Sequence, residues 1–292
     1  MEIRLYSANS VSYAWRLVME DTDLFIKERK YLMNVTPATV DFYNNAFKSV
    51  SKFGDFSEDG LKRWVIGARD SGVSPRSINT WTTGINAYLK WKGEVYRVKK
   101  LKCTNRVLPI YSGEHLEKLL KWKPESPNER RLQLLVLLIL DTGVRINEAT
   151  TLKWESVDFD NCVIKVRGKG DKERLVPFSS ELRKKLWLYS KNGTSPLQLV
   201  FETREGTGFM RRNARRDLCM LCKKLGFPAP PRAVHALRHT FAVNFLKGGG
   251  NLYYLARILG HASVKTTEGY LKSVAMEDLQ KASERVSILN RR

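Results

Sequence analysis

One segment near the middle of the chain restricts the possible folds most. The stretch RLQLLVLLILD, residues 131–141, is apolar on nearly all sides when it is placed on a helix. A helix without a polar face must be surrounded by other elements, so we expect it to be the central helix of a helical core. Its apolar part, residues 132–140, is too short to span a membrane. Gly143 is expected to end it.

The residues after this helix predict a small sheet and then more helices. Two strands, 162–167 and 173–178, flank the turn Gly168-Lys-Gly-Asp-Lys172, which is rich in glycine and charge. One apolar face at helical spacing carries Ala214, Leu218, Leu221 and Leu225. The predicted helices are 208–225, 235–247, 252–259 and one near the C-terminus. This part of the chain is therefore predicted to be mainly α with a small antiparallel β-sheet.

Residues 12–100 are predicted to form a small domain of several short helices. Thr36 is a candidate N-cap with Pro37 at the first helical position, and apolar side chains follow at helical spacing. Further helices are predicted over 61–71, which Gly72 ends, and from Ser74 onwards. The sequence over 93–111 is basic and weakly periodic. We interpret 101–111 as a basic linker and 112–273 as a second domain.

The charge of the chain indicates a polyanionic partner. Lysine and arginine number 51 against 30 acidic residues, a net charge of +21. The excess is present over residues 1–106, with 18 basic and 11 acidic residues, and over 107–292, with 33 and 19. Such an excess is typical of nucleic-acid-binding proteins, because cationic side chains that neutralise phosphates release counterions. A solvated surface that is merely basic is the alternative.

The cysteines predict neither a disulfide framework nor a metal site. Cys219 and Cys222 form a CxxC, but no second Cys/His pair follows at zinc spacing. Four cysteines, no secretory signal and no spanning segment favour a reducing compartment, so we expect a cytoplasmic protein with no membrane partner. We expect no metal and no cofactor.

Six residues suited to phosphate chemistry are spread through the second domain. Each has an ordinary interpretation when taken singly: Arg145 could bind an internal carboxylate such as Glu148, and Tyr270 could be a core side chain. Together they include no carboxylate pair, no metal cluster and no glycine-rich nucleotide loop. The six are Arg145, Lys169, His235, Arg238, His261 and Tyr270.

Cleavage of a phosphodiester by a tyrosine needs such a set. Two arginines can hold the transition-state oxygens bidentately, because guanidinium groups match phosphate geometry. Histidines can donate hydrogen bonds or move protons, and a lysine on a turn can protonate the leaving 5′-oxygen. The tyrosine then forms a covalent phosphotyrosine, which conserves the bond energy for rejoining. No metal or ATP is required.

The ordered motifs resemble those of the tyrosine recombinase, or phage-integrase, family, and especially its Xer-like members. They are TGVRINEATTLKW around Arg145, VRGKGDKERLVPF around Lys169, HALRHTFA with His235 and Arg238, LGHASVKTT with His261, and Tyr270. The likeness is strong over 105–275 and weaker over 12–100. It implies a two-domain, C-shaped clamp around duplex DNA, with a helical, SAM-like core-binding domain over 12–100 and a catalytic domain over 112–273.

The resemblance implies roles for the nucleophile and the two arginines. Tyr270 corresponds to the nucleophile, and Arg145 and Arg238 correspond to the residues that bind the scissile phosphate. Glu148 matches an acidic position that supports the first arginine from behind. Residues 266–267 are expected to start the helix that presents Tyr270.

The remaining catalytic positions concern proton transfer. Lys169, in the glycine-rich turn, corresponds to the general acid for the 5′-oxygen, and Lys172 of the same turn is the alternative. His235 and His261 correspond to residues that hydrogen-bond the phosphate or assist proton transfer.

Further basic residues are predicted to contact DNA outside the catalytic set. Those in the linker region suit a strap across a phosphate backbone, and those on the helix 208–225 lie largely off its apolar face. They are Lys99, Lys100, Lys102, Lys172, Arg174, Arg211, Arg212 and Arg215.

The resemblance also implies an assembly. Residues 274–292 are expected to dock on a neighbouring subunit, although packing on their own domain is the alternative. A homotetramer would hold two duplexes at short inverted-repeat core sites and exchange strands through a Holliday junction, with a partner recombinase or accessory protein as a further option. Integration, excision and dimer resolution share this chemistry.

Three other functions are compatible with parts of the sequence. A monomeric enzyme like topoisomerase IB would nick and close DNA without a partner site. A non-catalytic DNA-binding relative would retain the fold but would not need Tyr270. A helix-turn-helix regulator would explain the charge, but not the Lys169 hairpin or the placement of both arginines.

Overall fold

The computed structural model describes residues 8–103, 108–168, 173–191, 197–203, 205–261 and 263–271, with side chains from residue 20 onwards. Lys169, Lys172 and the tail 274–292 therefore lie outside the described residues. The chain divides into two compact units, Met1–Asn105 and Arg106–Arg292. The predicted fold class, mainly helical with a small antiparallel sheet, is confirmed.

The first unit contains four helices, which are α1 (Ala8–Tyr31), α2 (Pro37–Phe53), α3 (Glu58–Asp70) and α4 (Pro75–Trp91). Thr36 lies at the N-cap of α2, as predicted, but its hydroxyl caps no backbone N–H. Helix α3 begins three residues before the predicted position, because the Ser57 side chain accepts a hydrogen bond from the Gly60 N–H and starts the helix early.

Aromatic side chains form the core of this unit. Phe25 packs edge-on against Tyr43 and Tyr88, with ring centroids 5.0 and 5.6 Å apart. Trp64 is fully buried beside them and donates its indole N–H to the Ser49 hydroxyl at 2.9 Å. Edge-to-face pairs of this kind add to the stabilisation that comes from apolar burial. The aromatic side chains Tyr88 and Trp91 thus place one face of α4 in this core.

The second unit combines a small sheet with helices. Its strands, β1 (Val157–Asp158), β2 (Val163–Arg167) and β3 (Glu173–Pro177), are antiparallel in that order, and Ile164 pairs with Val176. Its helices are α5 (Gly113–Lys121), α6 (Pro127–Thr142), α7 (Ile146–Thr150), α8 (Ser180–Ser190), α9 (Arg211–Lys224), α10 (Ala233–Lys247), α11 (Leu252–Leu259) and α12 (Val264–Glu268).

Helix α6 is the central helix that its apolar sequence predicts. Eight of its residues are buried, and it packs against α7, α8, α9 and α10. It begins four residues before the predicted start, because Ser126 caps it and Pro127 occupies the first turn. Gly143 ends it with φ +64°, and a Cβ there would lie 2.3 Å from Phe241 Cδ1. This position therefore requires glycine both for its backbone and for its space.

The predicted start of the last described helix is wrong. Residues 266–267 do not begin a helix, because Ser263 caps α12 by accepting a hydrogen bond from the Lys265 N–H. Tyr270 follows the end of this five-residue helix, and its backbone N–H donates to the Thr267 carbonyl at 3.0 Å. A short tight turn, rather than a helix start, fixes the position of the tyrosine.

The described residues contain neither a candidate membrane span nor a candidate metal site. Among the described helices, none has both the length and the apolar character needed to cross a bilayer. Within the same residues, no three His, Cys, Asp or Glu side chains lie close enough together to hold a metal ion.

Candidate active site

Four of the six predicted site residues come together in the second unit. Arg145 lies at the N-terminus of α7 and Arg238 lies on α10, whereas His261 follows α11 and Tyr270 follows α12. Arg145 Nη2 donates to the Gly260 carbonyl at 3.1 Å, and Arg238 Nη2 lies 3.2 Å from His261 Nε2. The rings of His261 and Tyr270 are parallel, with centroids 6.4 Å apart. Three segments distant in sequence thus build one site.

Arg238 is held by the carbonyl groups at two helix ends. It is 5% exposed, and it donates to the Gly143 carbonyl at 2.7 Å and to the Leu259 carbonyl at 2.8 Å. Burial, followed by the charge of Arg145, lowers the pKa of Arg238 to about 10, so the guanidinium is still charged at neutral pH. No carboxylate forms an ion pair with it among the described residues. A buried cation of this kind attracts an anion.

Glu148 fixes the other arginine. Its Oε2 accepts from the Arg145 backbone N–H, and its Oε1 accepts from Arg145 Nη1, both at 2.8 Å. Arg174 of β3 binds both carboxylate oxygens of Glu148, at 2.8 and 2.9 Å. Burial raises the pKa of Glu148, but the hydrogen bonds and charges of the two arginines outweigh it and bring the pKa down to about 2. Glu148 thus binds Arg145 directly, and its role in supporting that arginine during catalysis stays a prediction.

His261 is neutral in this arrangement. An arginine can only donate, so Nε2 of His261 accepts from Arg238, and its Nδ1–H donates to Thr267 Oγ1 at 2.8 Å. Burial, then the charges of Arg238 and Arg145, lower the pKa of His261 to about 4. Its ring therefore sits beside two arginines without adding positive charge at neutral pH.

Tyr270 is buried and its hydroxyl is protonated. The residue is 4% exposed, and burial raises its pKa, although the charge and hydrogen bond of Arg238 act in the opposite direction. Its hydroxyl oxygen lies 3.1 Å from Nδ1 of His239. His239 follows Arg238 in the motif HALRHTFA, but no sequence pattern predicted a role for it. Its position next to Arg238 in the chain is the only local sign of a role, because its contact with Tyr270 depends on the tertiary structure.

His235 and the two lysines of the hairpin complete the predicted set. His235 lies in the first turn of α10 with an exposed side chain, and partial burial of its ring and the charges of Arg232 and Arg238 lower its pKa. Lys169 and Lys172 lie outside the described residues. The strand ends that flank them are described, and Gly168 lines the same open cavity as Arg145.

This cavity is wide and basic. It has a volume of about 1600 Å³, and Arg145 and His261 lie along it. Lys165, Arg174 and Arg257 also line it, with Glu173 as the acidic exception. A groove with several cations and few anions suits a phosphate backbone rather than a small apolar ligand.

The other predicted DNA-binding residues lie at the surface of their own units. In the first unit, Asn86 binds both backbone groups of Val98 and Asn79 binds both of Leu101, which leaves the neighbouring lysines exposed. Arg174 is different, because its side chain is 13% exposed and bound to Glu148. Its contact with DNA stays a prediction. The exposed residues are Lys99, Lys100 and Lys102 in the first unit and Arg211, Arg212 and Arg215 on α9.

Comparisons with known proteins identify one family. The model of the phage integrase family matches residues 111–277. The tyrosine recombinase XerA of Thermococcus kodakarensis is 30% identical over 264 residues, covering 88% of this chain and 92% of the relative. The tyrosine recombinase XerC of Corynebacterium glutamicum is 30% identical over 236 residues, covering 76% of each chain.

Solved structures share the fold. The integrase of the transposon Tn1549, in complex with a circular intermediate DNA, has a TM-score of 0.73 at 18% identity and covers 91% of this chain and 99% of its own. The XerH site-specific recombinase bound to a palindromic difH substrate has a TM-score of 0.67 at 21% identity and covers 92% and 84%.

Proposed function

This chain belongs to the phage integrase family and is a tyrosine site-specific recombinase, and we propose that Tyr270 is its nucleophile. In this proposal Tyr270 cleaves duplex DNA and forms a 3′-phosphotyrosine. The observation that supports it is that the buried phenol of Tyr270 lies in the same site as Arg145 and Arg238, beside a basic groove. Arg238 is the key element, because it is buried and charged and has no carboxylate ion pair among the described residues.

Arg145 and Arg238 bind the non-bridging oxygens of the scissile phosphate. Both side chains are already held in place, Arg145 by Glu148 and Arg238 by two backbone carbonyls. Donors fixed in this way need no reorganisation when charge develops in the transition state, so they favour the transition state over the bound substrate. Two adjacent cations without a bound anion also repel each other, and the phosphate relieves this repulsion.

The bonds change as follows in the cleavage step. The bond between the Tyr270 oxygen and phosphorus forms while the bond from phosphorus to the 5′-oxygen breaks. The leaving 5′-oxygen takes a proton from a general acid, and the family resemblance assigns this role to Lys169. His235, on the exposed first turn of α10, and His261, beside Arg238, contribute hydrogen bonds to the phosphate.

Duplex DNA is the proposed substrate of the whole chain. The Tn1549 integrase and XerH are described as DNA complexes, and this chain has their fold and a charge of +21. Exposed lysines and arginines on both units provide phosphate contacts. We expect the target to be a pair of short inverted-repeat core sites, and the enzyme to act in the cytoplasm on the nucleoid.

Recombination requires more than one subunit. In the proposed cycle, a homotetramer holds two duplexes, each round of cleavage exchanges one pair of strands, and a Holliday junction links the two rounds. Residues 274–292 dock on a neighbouring subunit and couple the active sites. A partner recombinase or an accessory protein would replace or regulate some of these subunits. A monomeric nicking-closing enzyme and a non-catalytic binder are not favoured.

Covalent trapping tests the proposal. The full chain is incubated with nicked duplexes of random sequence, without metal or ATP, and the protein-linked strands are recovered after denaturation and sequenced. We expect a 3′-linked adduct with the wild-type chain and none with Tyr270→Phe, which should bind the same duplexes with unchanged affinity. An adduct formed by Tyr270→Phe would remove Tyr270 from the role of nucleophile.

A further inference from the structure

The residue that touches the proposed nucleophile most directly is His239. Its Nδ1 lies 3.1 Å from the Tyr270 hydroxyl oxygen, and the two rings have centroids 5.6 Å apart. His239 lies on α10 directly after Arg238, so the helix that carries a phosphate-binding arginine also carries this histidine. Neither the motifs nor the proposed mechanism gives it a role so far.

The direction of this hydrogen bond follows from the other partner of the phenol. The guanidinium of Arg238 lowers the pKa of Tyr270 through its charge and its N–H donors, and a guanidinium group can only donate. The phenol oxygen therefore acts as an acceptor towards Arg238, and its own O–H is free to donate to His239. Nδ1 of His239 then accepts, which places the ring proton on Nε2.

His239 is able to accept because its ring is neutral. Burial is the main cause that lowers its pKa, to about 4, and the nearby His235, Arg238 and Arg232 act in the same direction. At neutral pH the ring therefore carries one proton and offers one lone pair, and that lone pair points at the phenol. A neutral imidazole in this position is the usual form of a general base.

Other candidate bases are already occupied. His261 uses Nε2 for Arg238, at 3.2 Å, and Nδ1 for Thr267, at 2.8 Å. Glu148 is held by Arg145 and Arg174, and its pKa of about 2 makes it a poor proton acceptor. Among the described residues, His239 is thus the titratable group with a free lone pair within hydrogen-bond distance of Tyr270.

We propose that His239 is the proton acceptor for Tyr270 in strand cleavage, an inference that rests on the proposed role of Tyr270 as nucleophile. As the bond between the Tyr270 oxygen and phosphorus forms, the phenol proton moves to Nδ1 of His239. The bond from phosphorus to the 5′-oxygen breaks, and that oxygen takes a proton from the general acid. The imidazolium formed on His239 is stabilised by the phosphate charge that the bound DNA brings into the site.

Strand rejoining reverses each transfer. The incoming 5′-hydroxyl loses its proton to the group that acted as acid, its oxygen attacks phosphorus, and the bond from phosphorus to Tyr270 breaks. His239 returns its proton to the leaving phenolate. The same histidine thereby makes the tyrosine a better nucleophile in cleavage and a better leaving group in rejoining.

The test compares three variants of the full chain. His239→Ala removes the ring, and His239→Asn keeps a hydrogen-bonding group near the Nδ1 position but cannot take a proton. His115→Ala is the matched control, because His115 stacks on Phe227 and does not touch the site. Single-turnover cleavage is measured on a duplex recovered in the trapping experiment, and circular dichroism and duplex affinity show whether each variant is folded and binds.

We expect His239→Ala to slow cleavage by roughly 100-fold or more, the usual contribution of a general base, with duplex affinity unchanged within about twofold. His239→Asn should remain at least about tenfold slow, and added imidazole should accelerate only the alanine variant. A duplex with sulfur in place of the scissile 5′-oxygen distinguishes loss of the phenol proton from protonation of the leaving group, because a thiolate leaves without being protonated. This duplex should not restore cleavage by His239→Ala.

Each result that contradicts the proposal has a separate meaning. Wild-type cleavage rates in His239→Ala or in His239→Asn would show that His239 does not take the proton. If the sulfur substrate restores the cleavage rate of His239→Ala, His239 acts on the leaving 5′-oxygen and not on Tyr270, and the assignment is overturned. If the wild-type chain forms no adduct at all, the proposed function fails and this inference fails with it. If the wild-type chain cleaves normally, the results of the variants concern His239 alone.

Discussion

Replacing Glu148 by glutamine should destabilise the second unit and disorder Arg145. Glu148 has a side chain 6% exposed and receives hydrogen bonds from Arg145 and Arg174. Glutamine keeps the shape but removes the charge, so two guanidinium groups would face each other without a carboxylate between them. Breaking a buried ion pair on one side is costly for this reason.

The pKa of Glu148 gives the size of the effect. It falls from the ordinary value of 4.5 to about 2 in the folded chain, which corresponds to roughly 3 kcal/mol of folding free energy at neutral pH. Because the folded pKa is the lower one, this stabilisation is complete above pH 4.5 and is lost as the pH falls towards 2. At pH 3 about 1.5 kcal/mol should remain.

Urea unfolding at pH 7 and at pH 3 measures both values. Cys222 is a free thiol, fully buried in the core of the second unit, so its modification by a disulfide reagent that reacts in acid reports the unfolding of that unit. The difference between the wild-type chain and Glu148→Gln should be about 3 kcal/mol at pH 7 and about half of that at pH 3.

A matched control separates burial from charge. Glu117→Gln makes the same chemical change at an exposed site, where Glu117 pairs with Lys121 across one helical turn. The free energy of unfolding should change by less than about 0.5 kcal/mol. If Glu148→Gln is as stable as the wild-type chain, or if its loss of stability is not smaller at pH 3, then the charge of Glu148 does not stabilise the second unit.

Two further predictions concern the site and the tail. Arg238→Lys should bind duplex DNA normally but cleave it about 100-fold more slowly in single-turnover assays. The reason is that one ammonium group cannot bind two carbonyls and a phosphate in the same geometry. Cleavage within threefold of the wild-type rate would show that Arg238 has only a structural role. Deleting residues 274–292 should leave the circular dichroism spectrum and the binding of a single DNA site unchanged. It should abolish recombination between two DNA sites, measured in a gel assay. Normal recombination by the shortened chain would rule out docking in trans.

The apolar sequence determined the central helix and the sheet. Residues 131–141 have no polar face, so α6 could only be a buried helix, and Gly143 ended it where a left-handed residue was needed. The strands β2 and β3 differ from the predicted ones by a single residue at one end each, because a turn of glycine and charge between short apolar runs specifies a hairpin. These features depend on residues close to one another in the chain.

Short helices and their caps were less predictable. The five-residue helix α7 is too short to show an apolar stripe. Its start is fixed by Glu148, whose carboxylate accepts hydrogen bonds from both the backbone N–H and the side chain of Arg145. The start of α12 was misplaced because three candidate capping residues, Ser263, Thr266 and Thr267, compete over five positions. Thr267 is buried and its hydroxyl hydrogen-bonds His261, so this contact, which depends on the tertiary structure, decides among them.

The sequence by itself assigned a tyrosine, two arginines, two histidines and a lysine to one ordered set, because their motifs and order resemble one family. Only the tertiary structure decided how they meet. Arg145 reaches Gly260 across 115 residues, Arg238 reaches Gly143 across 95, and Tyr270 reaches His239 across 31. Such contacts depend on how α6, α10 and α11 pack, which no local pattern records. For that physical reason the histidine beside the nucleophile became visible only in the folded chain.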